Sequence, residues 1–168
     1  MPMSDYMKRL RARIGHEMLL IPTTAILTFD EQDRVLLVRH GDVLRWTTAG
    51  GAIEPEERPS DAAVREMWEE TGLHVELTRV LGIYGGPEFN TRYSNGDLVT
   101  FTMIVFEGEK IGGEERPDGD ETLEIRYFAR SEIATLDTQP WVPAVLDDVF
   151  TQRERTHFAP PTWHPSQS

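Results

Sequence analysis

The alternation of apolar and polar positions along the chain predicts short strands interleaved with helices. Ser4 to Arg13 predicts a short basic helix, packed on the edge of the domain or on a dimer mate. Ile21 to Phe29 is rich in β-branched residues (Thr23, Thr24, Ile26, Thr28) and predicts a strand. Asp30 to Asp33 reads as a turn. Val35 to Val38 is a continuous apolar run that suits a strand buried on both faces, and the two strands together predict a hairpin. Pro59 and Ser60 start a helix that Gly72 stops. Val75 to Leu81 predicts a strand, Pro87 to Asp97 a loop with an Asn95-Gly96 turn, and Leu98 to Phe106 a long apolar strand. A second loop covers Gly112 to Gly119, after which Leu123, Ile125 and Tyr127 alternate as in a strand. Ser131 is expected to cap a short helical turn, and Val142 to Arg153 to form the last helix. Thr156 to Ser168 is a polar tail able to fold back through Trp163. Strands mixed with helices in this order predict an α/β domain with a mixed sheet.

Composition narrows the class of function. With 168 residues, 39% of them apolar, the chain suits one domain with one core. Its net charge of −12 argues against bulk nucleic-acid binding and against an anionic membrane surface. An excess of carboxylates serves solubility or builds a hard-metal site from oxygen ligands. The absence of cysteine excludes disulfides, cysteinyl zinc sites and thiol nucleophiles. No run approaches the ~18 apolar residues of a membrane span. Lys8, Arg9, Arg11 and Arg13 near the N-terminus are followed by no apolar signal region, so a cytoplasmic location is expected.

The chemistry concentrates in the segment PSDAAVREMWEETGL, residues 59–73. On a helix, Glu66, Glu69 and Glu70 share an arc of roughly 100°, with Arg65 beside them and Val64, Met67 and Trp68 on the other side. That pattern predicts a core position for Trp68. Like charges at these spacings repel, and the helix dipole disfavours anions near its C-terminus. Arg65 can neutralise one carboxylate and a divalent cation the rest, Mg2+ being suited to carboxylate oxygens. The plainer alternative is a solvated acidic face. Ala49-Gly50-Gly51 and the acids Glu54, Glu56 and Glu57 precede the helix, and a glycine pair lets backbone approach a ligand closely. Loop and helix together predict a metal–phosphate cradle.

Gly51, Glu57 and the run Arg65-Glu66-Met67-Trp68-Glu69-Glu70-Thr71-Gly72-Leu73 fit G-x5-E-x7-R-E-U-x-E-E-x-G-U at every specified position, with U apolar. This stretch, Gly51 to Leu73, resembles the Nudix box. The flanking strands extend the resemblance over about Ile21 to Leu136. Ala49 stands where many relatives have proline, and Glu56 where many have glycine. The resemblance implies a Nudix-type α/β/α sandwich with a mixed central sheet, here spanning 18–153, with an N-terminal helical extension (1–17) and a C-terminal tail (154–168). It implies Mg2+-dependent hydrolysis (Mn2+ as an alternative) of a pyrophosphate bond in a nucleoside diphosphate linked to another moiety. Nucleotide sugars such as ADP-ribose, dinucleoside polyphosphates and nucleoside triphosphates are the candidate substrates.

By position, the resemblance makes Glu66, Glu69 and Glu70 the metal ligands. The Gly50 carbonyl is a backbone ligand, and Glu57 a ligand or a partner of the ligands. Arg65 would orient a carboxylate and hold the loop to the helix. The general base is Glu66 or Glu121, the latter in Asp118-Gly119-Asp120-Glu121-Thr122 and also a candidate additional ligand.

Trp46, Tyr84, Phe89, Arg92 and Tyr93 are the aromatic and basic residues expected near the cleft. Trp46, Arg92 and Tyr93 are candidates for substrate contact, although core packing competes for each aromatic. Trp46 is expected to pack beneath the glycine pair. Tyr93 to Asp97 reads as a substrate-facing loop or a simple turn, and His40 as a satisfied surface histidine. A non-catalytic nucleotide-binding sensor on the same fold is the alternative function. An isoprenoid diphosphate isomerase in its usual form is closed off by the missing cysteine. The family tendency implies a homodimer.

Overall fold

Nine residues, Leu19–Leu27, form strand β1, whose second half is buried on both faces. Burial on both sides requires cover above and below and a neighbour at each edge, and that requirement organises the molecule. The computed structural model describes residues 4–42, 44–93, 95–119 and 121–165. Of the segments discussed above, residues 1–3 of the extension, Ser94, Asp120 and residues 166–168 of the tail lie outside these.

Strand β1 pairs antiparallel with β4 (Ala49–Ala52) and parallel with β6 (Leu98–Gly113). Strands β5 (Leu73–Arg92) and β8 (His157–Phe158) complete a mixed five-stranded sheet of order β4-β1-β6-β5-β8. A second, antiparallel sheet has the order β3-β2-β7, from β3 (Trp46–Thr47), β2 (Val35–His40) and β7 (Thr122–Phe128). Two apolar clusters flank this framework. In one, Ile26, Leu36, Val38 and Phe106 meet Ala63 and Met67 of helix α2 (Pro59–Thr71). In the other, Ala25, Leu27, Leu37 and Val105 meet Val142, Val145, Leu146 and Val149 of helix α4 (Val142–Gln152). Sheet between helices is the α/β/α sandwich.

Several expectations need correction. The predicted hairpin forms only around its turn, where Phe29 bridges Val35, Asp30 N–H donates to the Arg34 carbonyl and Leu36 N–H to the Thr28 carbonyl; beyond it β1 and β2 belong to different sheets. The loop expected over Pro87 to Asp97 is mostly strand, since β5 runs on to Arg92 and only Tyr93 to Asp97 turns. Gly82, Gly85, Gly86 and Pro87 are absorbed as irregularities in the pairing with β6 rather than ending the strand. Likewise, β6 continues through the first residues of the loop expected from Gly112.

Ser131 does not cap the short helix α3 (Arg130–Ile133) but lies inside it. Ala129 is the capping position, and its N–H donates to Glu132 Oε2 at 2.8 Å. The tail does return to the body, through His157 and Phe158 paired with Gly82 and Ile83, while Trp163 stays 77% exposed. The His157 ring stacks on Tyr84 at 4.9 Å, in space that Gly82 leaves open. Helix α1 (Asp5–Ile14) forms where the sequence predicts it, with Ser4 Oγ accepting from Met7 N–H.

Candidate active site

Helix α2 opens on Pro59 and closes on Gly72, whose left-handed conformation lets its N–H return to the Trp68 carbonyl at 2.9 Å. The face it buries carries Ala62, Ala63, Glu66, Met67, Glu70 and Thr71. This overturns the expected orientation. Trp68 is not in the core but 42% exposed, stacked on His74 at 4.3 Å, and Val64 is exposed too. Two of the three glutamates therefore face the protein, and only Glu69 faces solvent. The small Ala62 and Ala63 allow the helix to lie close to the sheet, which carries the glutamates inward.

Strand β4 supplies the other wall. The Gly50 N–H donates to Glu70 Oε2 at 3.1 Å. At φ 150°, Gly50 is so close to β1 that a Cβ there would lie 2.2 Å from the Thr24 carbonyl oxygen.

Arg65 binds the cluster together. Its Nε and one terminal nitrogen donate to both Glu57 oxygens, at 2.8 and 3.0 Å. The other terminal nitrogen donates to Glu66 Oε1 at 2.8 Å and Glu69 Oε2 at 3.0 Å. A further bond reaches the Ala52 carbonyl at 3.3 Å, joining helix to loop. The Glu54 N–H also donates to Glu57. Arg65 holds the Glu57 carboxyl below its usual range, aided by that amide.

Burial dominates the inner pair. It pushes Glu66 up to about 7 against the pull of Arg65. It also raises Glu70 well above the ordinary carboxylate range, assisted by the charge of Glu66 and opposed by the Gly50 amide. Glu66 is 0% exposed and its Oε2 has no hydrogen-bond partner. Two neighbouring buried acids, one with an orphaned oxygen, are costly unless a cation or proton joins them. The residues thus fit a hard divalent cation in donor type and in unmet charge. Among the described residues, no three acidic or histidine side chains already converge as a finished cage. Arg65 occupies the middle of the cluster instead.

Glu121 lies near enough to raise both Glu66 and Glu70 through its charge. Its loop is shaped by Asp118, whose Oδ1 accepts from the Glu121 and Thr122 amides at 2.9 Å each. The Glu121 carbonyl accepts from Gly41 N–H at 2.7 Å, which ties the loop to the end of β2. Next to it, His40 Nδ1 accepts from the Asp42 N–H at 3.2 Å, and burial lowers the histidine's pKa. The neutral ring therefore carries its proton on Nε2. Asp118 and this use of His40 were not singled out from the sequence. The Asp118-Gly119 turn dipeptide was the available signal for the first.

The remaining candidates divide. Trp46 packs edge-on against Phe128 at 4.7 Å and joins the α4-side cluster, not the cluster around Ala49, so it does not lie beneath the glycine pair. Tyr84 and Phe89 are buried in the same α4-side core. Arg92 and Tyr93 are exposed at the end of β5, though the Tyr93 hydroxyl is sheltered enough that burial pushes the phenol up, with the Asp42 carboxylate adding to it.

The model of the NUDIX domain matches residues 19–149. A Bacillus subtilis protein provisionally named an 8-oxo-dGTP diphosphatase is 32% identical over 104 residues, 62% of this chain and 63% of that protein. A human diphosphoinositol polyphosphate phosphohydrolase is 48% identical over 83 residues, 48% of this chain and 45% of the other. The matched stretches thus span less than two thirds of either relative. Among solved structures, an ADP-ribose pyrophosphatase from Streptococcus suis superposes with a TM-score of 0.62 at 25% identity, covering 81% of this chain and 96% of that one. With the family model spanning most of its length and the box helix built as described, the chain belongs to the Nudix family.

Proposed function

We propose that the protein is a Mg2+-dependent pyrophosphohydrolase, with Mn2+ as a substitute, acting on a nucleoside diphosphate linked to another moiety. The observation that carries this reading is the buried pair Glu66 and Glu70, one oxygen of which has no partner. Glu66, Glu69, Glu70 and the Gly50 carbonyl would hold the ion, with Glu57 acting through Arg65. Bound there, the ion supplies charge neutralisation for phosphate oxygens and acidifies a water.

The chain's own groups do the remaining work. Gly50 N–H fixes one oxygen of Glu70. Arg65 fixes Glu57, Glu66 and Glu69 and holds the loop through Ala52. Either Glu66 or Glu121, whose charge acts on Glu66, accepts the proton of the attacking water. Arg92 and Tyr93, exposed at the end of β5, are the candidates for contact with the rest of the substrate.

Local charge supports a nucleotide over an inositol pyrophosphate. Arg65 is consumed by carboxylates, Arg39 pairs with Glu124 and Arg45 with Asp137. The acidic cluster thus offers little positive charge to a densely phosphorylated ring. ADP-ribose, 8-oxo-dGTP and dinucleoside polyphosphates are the substrates to test first. A cytoplasmic homodimer is the accompanying expectation.

The test is a hydrolysis screen over these compounds and a diphosphoinositol polyphosphate, with and without Mg2+, with Glu70→Gln alongside. Turnover of one class that needs Mg2+ and falls about 100-fold or more in the variant is expected. Absence of turnover, with nucleotides still raising the melting temperature, would replace the hydrolase by a nucleotide sensor.

A further inference from the structure

Building on the nucleotide-hydrolase reading, on which this depends, we propose that the nucleobase of the substrate stacks on Tyr93, and that Arg11, His16 and Asp97 are positioning residues that hold Tyr93 in place. Arg11 and His16 precede the residues 19–149 that match the family, so the shared architecture does not account for them.

Arg11 and Asp97 form a buried ion pair, their side chains 9% and 8% exposed, with Arg11 Nε 3.5 Å from Asp97 Oδ2. Arg11 also donates to the Leu98 carbonyl at 2.8 Å and to the Gly15 and Glu17 carbonyls at 3.1 and 2.7 Å. His16 Nδ1–H donates to Asp97 Oδ1 at 2.7 Å. Taking two charges out of water is repaid only by good geometry, so such a pair fixes position more than it adds stability. What it fixes is the turn between β5 and β6. Asp97 receives the Asn95 side-chain amide, and Asn95 receives the Asp97 N–H, both at 3.0 Å. The Tyr93 N–H donates to the Asp97 carbonyl at 2.9 Å, and the Gly96 N–H to the Tyr93 carbonyl at 3.0 Å. The backbone of Tyr93 is thus bonded directly to the residue that the N-terminal extension anchors.

The side chain of Tyr93 is held at one end and open at the other. Burial pushes its phenol above the ordinary value, and the charges of Asp42, Arg11 and Asp97 all act on it. The residue is nonetheless 46% exposed, so its ring rather than its hydroxyl faces solvent. An exposed aromatic face with a sheltered polar end suits a planar group, which in a nucleotide is the base and not the phosphate or ribose. Asp42 links this face to the carboxylate cluster. Its N–H donates to His40, the neighbouring Gly41 N–H donates to the Glu121 carbonyl, and the charge of Glu121 acts on His40, Glu66 and Glu70. Tyr93 therefore stands on the Glu121 side of the cluster, apart from the acids that would hold the ion.

Steady-state kinetics on the full chain, with the compounds of the hydrolysis screen, test it. His16→Ala and Asp97→Asn should each raise KM about fivefold or more for a compound that is turned over, with kcat changed less than about twofold. Tyr93→Ala should raise KM likewise, and Tyr93→Phe should recover most of that loss because the ring remains. Asp97→Asn should add little to Tyr93→Ala, since both act through one contact. If Asp97→Asn does not fold, His16→Ala decides, its side chain being 69% exposed. An unchanged KM in the folded variants, or a further rise of about fivefold in the Tyr93→Ala background, would overturn the proposal and leave the hydrolase standing. If no compound is turned over, the dissociation constant of ADP-ribose measured by calorimetry takes the place of KM. The same pattern in that constant would keep the base contact and discard the hydrolase, and any other result would overturn both.

Discussion

Gly50 donates its amide proton to Glu70, so the strand that carries the glycine pair and the last turn of helix α2 share one hydrogen bond. The bond fixes a buried carboxylate that the charges of Glu66 and Glu121 repel. A residue without a side chain is needed there, because β1 lies directly behind it.

Gly50→Ala should therefore damage the site from behind. Its new methyl group would meet the Thr24 carbonyl, and β4 would have to move away from β1. A loss of about 1–3 kcal/mol of stability is expected, read by urea denaturation. Turnover of the folded fraction should drop about 100-fold, since Glu70 loses its fixed position. Native stability and turnover together would show that the amide does not position the carboxylate.

The buried acids also set a pH dependence for the metal-free protein. Glu66 titrates near 7 in the folded state against an ordinary 4.5, so folding favours its protonated form. Its contribution to stability is fully present below the ordinary value and is lost as pH rises through about 7. The shift corresponds to the order of 3 kcal/mol. In EDTA, the melting temperature should fall between about pH 4.5 and 7, and added Mg2+ should raise it more at the upper end. A melting temperature flat with pH in EDTA would mean that the pair is hydrated rather than buried.

A second carboxylate ties the two ends of the sandwich together. Glu107 receives Arg79 at 2.6 Å and Arg153 at 2.7 Å, and the Arg153 guanidinium lies 3.6 Å over the Phe29 ring. The side chain of Glu107 is 12% exposed, while both arginines are about a third exposed. Glu107→Ala should cost about 2 kcal/mol, less than for a fully buried pair because water screens the arginines. Turnover per folded molecule should be unchanged. A reduced turnover at full stability would connect this cluster to the site by a route not visible in the fold.

The site was more legible in the sequence than the packing around it. Helical spacing brought Arg65, Glu66, Glu69 and Glu70 into view, because a helix repeats on a period that spacing reveals, whereas Glu57 precedes the helix and stood out through the resemblance to the Nudix box. Their orientation was not legible. Large apolar Val64 and Trp68 marked one face as inward, yet Ala62 and Ala63 decide the matter by letting the helix close on the sheet. Size ranks burial when a helix faces only core, and fails when the buried face is also a binding face. Gly41, Glu121 and Asp118 meet through tertiary pairing of β2 with β7, which no local pattern encodes.

The interruptions in β5 have a consequence for the behaviour of the protein in a crowded solution. Twenty residues of extended chain are paired along one side with β6 and, among the described residues, along the other with the two residues of β8. A straight edge of that length would recruit strands from other molecules into fibrous aggregates. Four breaks in register bend it, and Pro87 withholds an amide donor from any newcomer. The same glycines and proline that hide the strand from a reader of the sequence hide it from neighbouring chains.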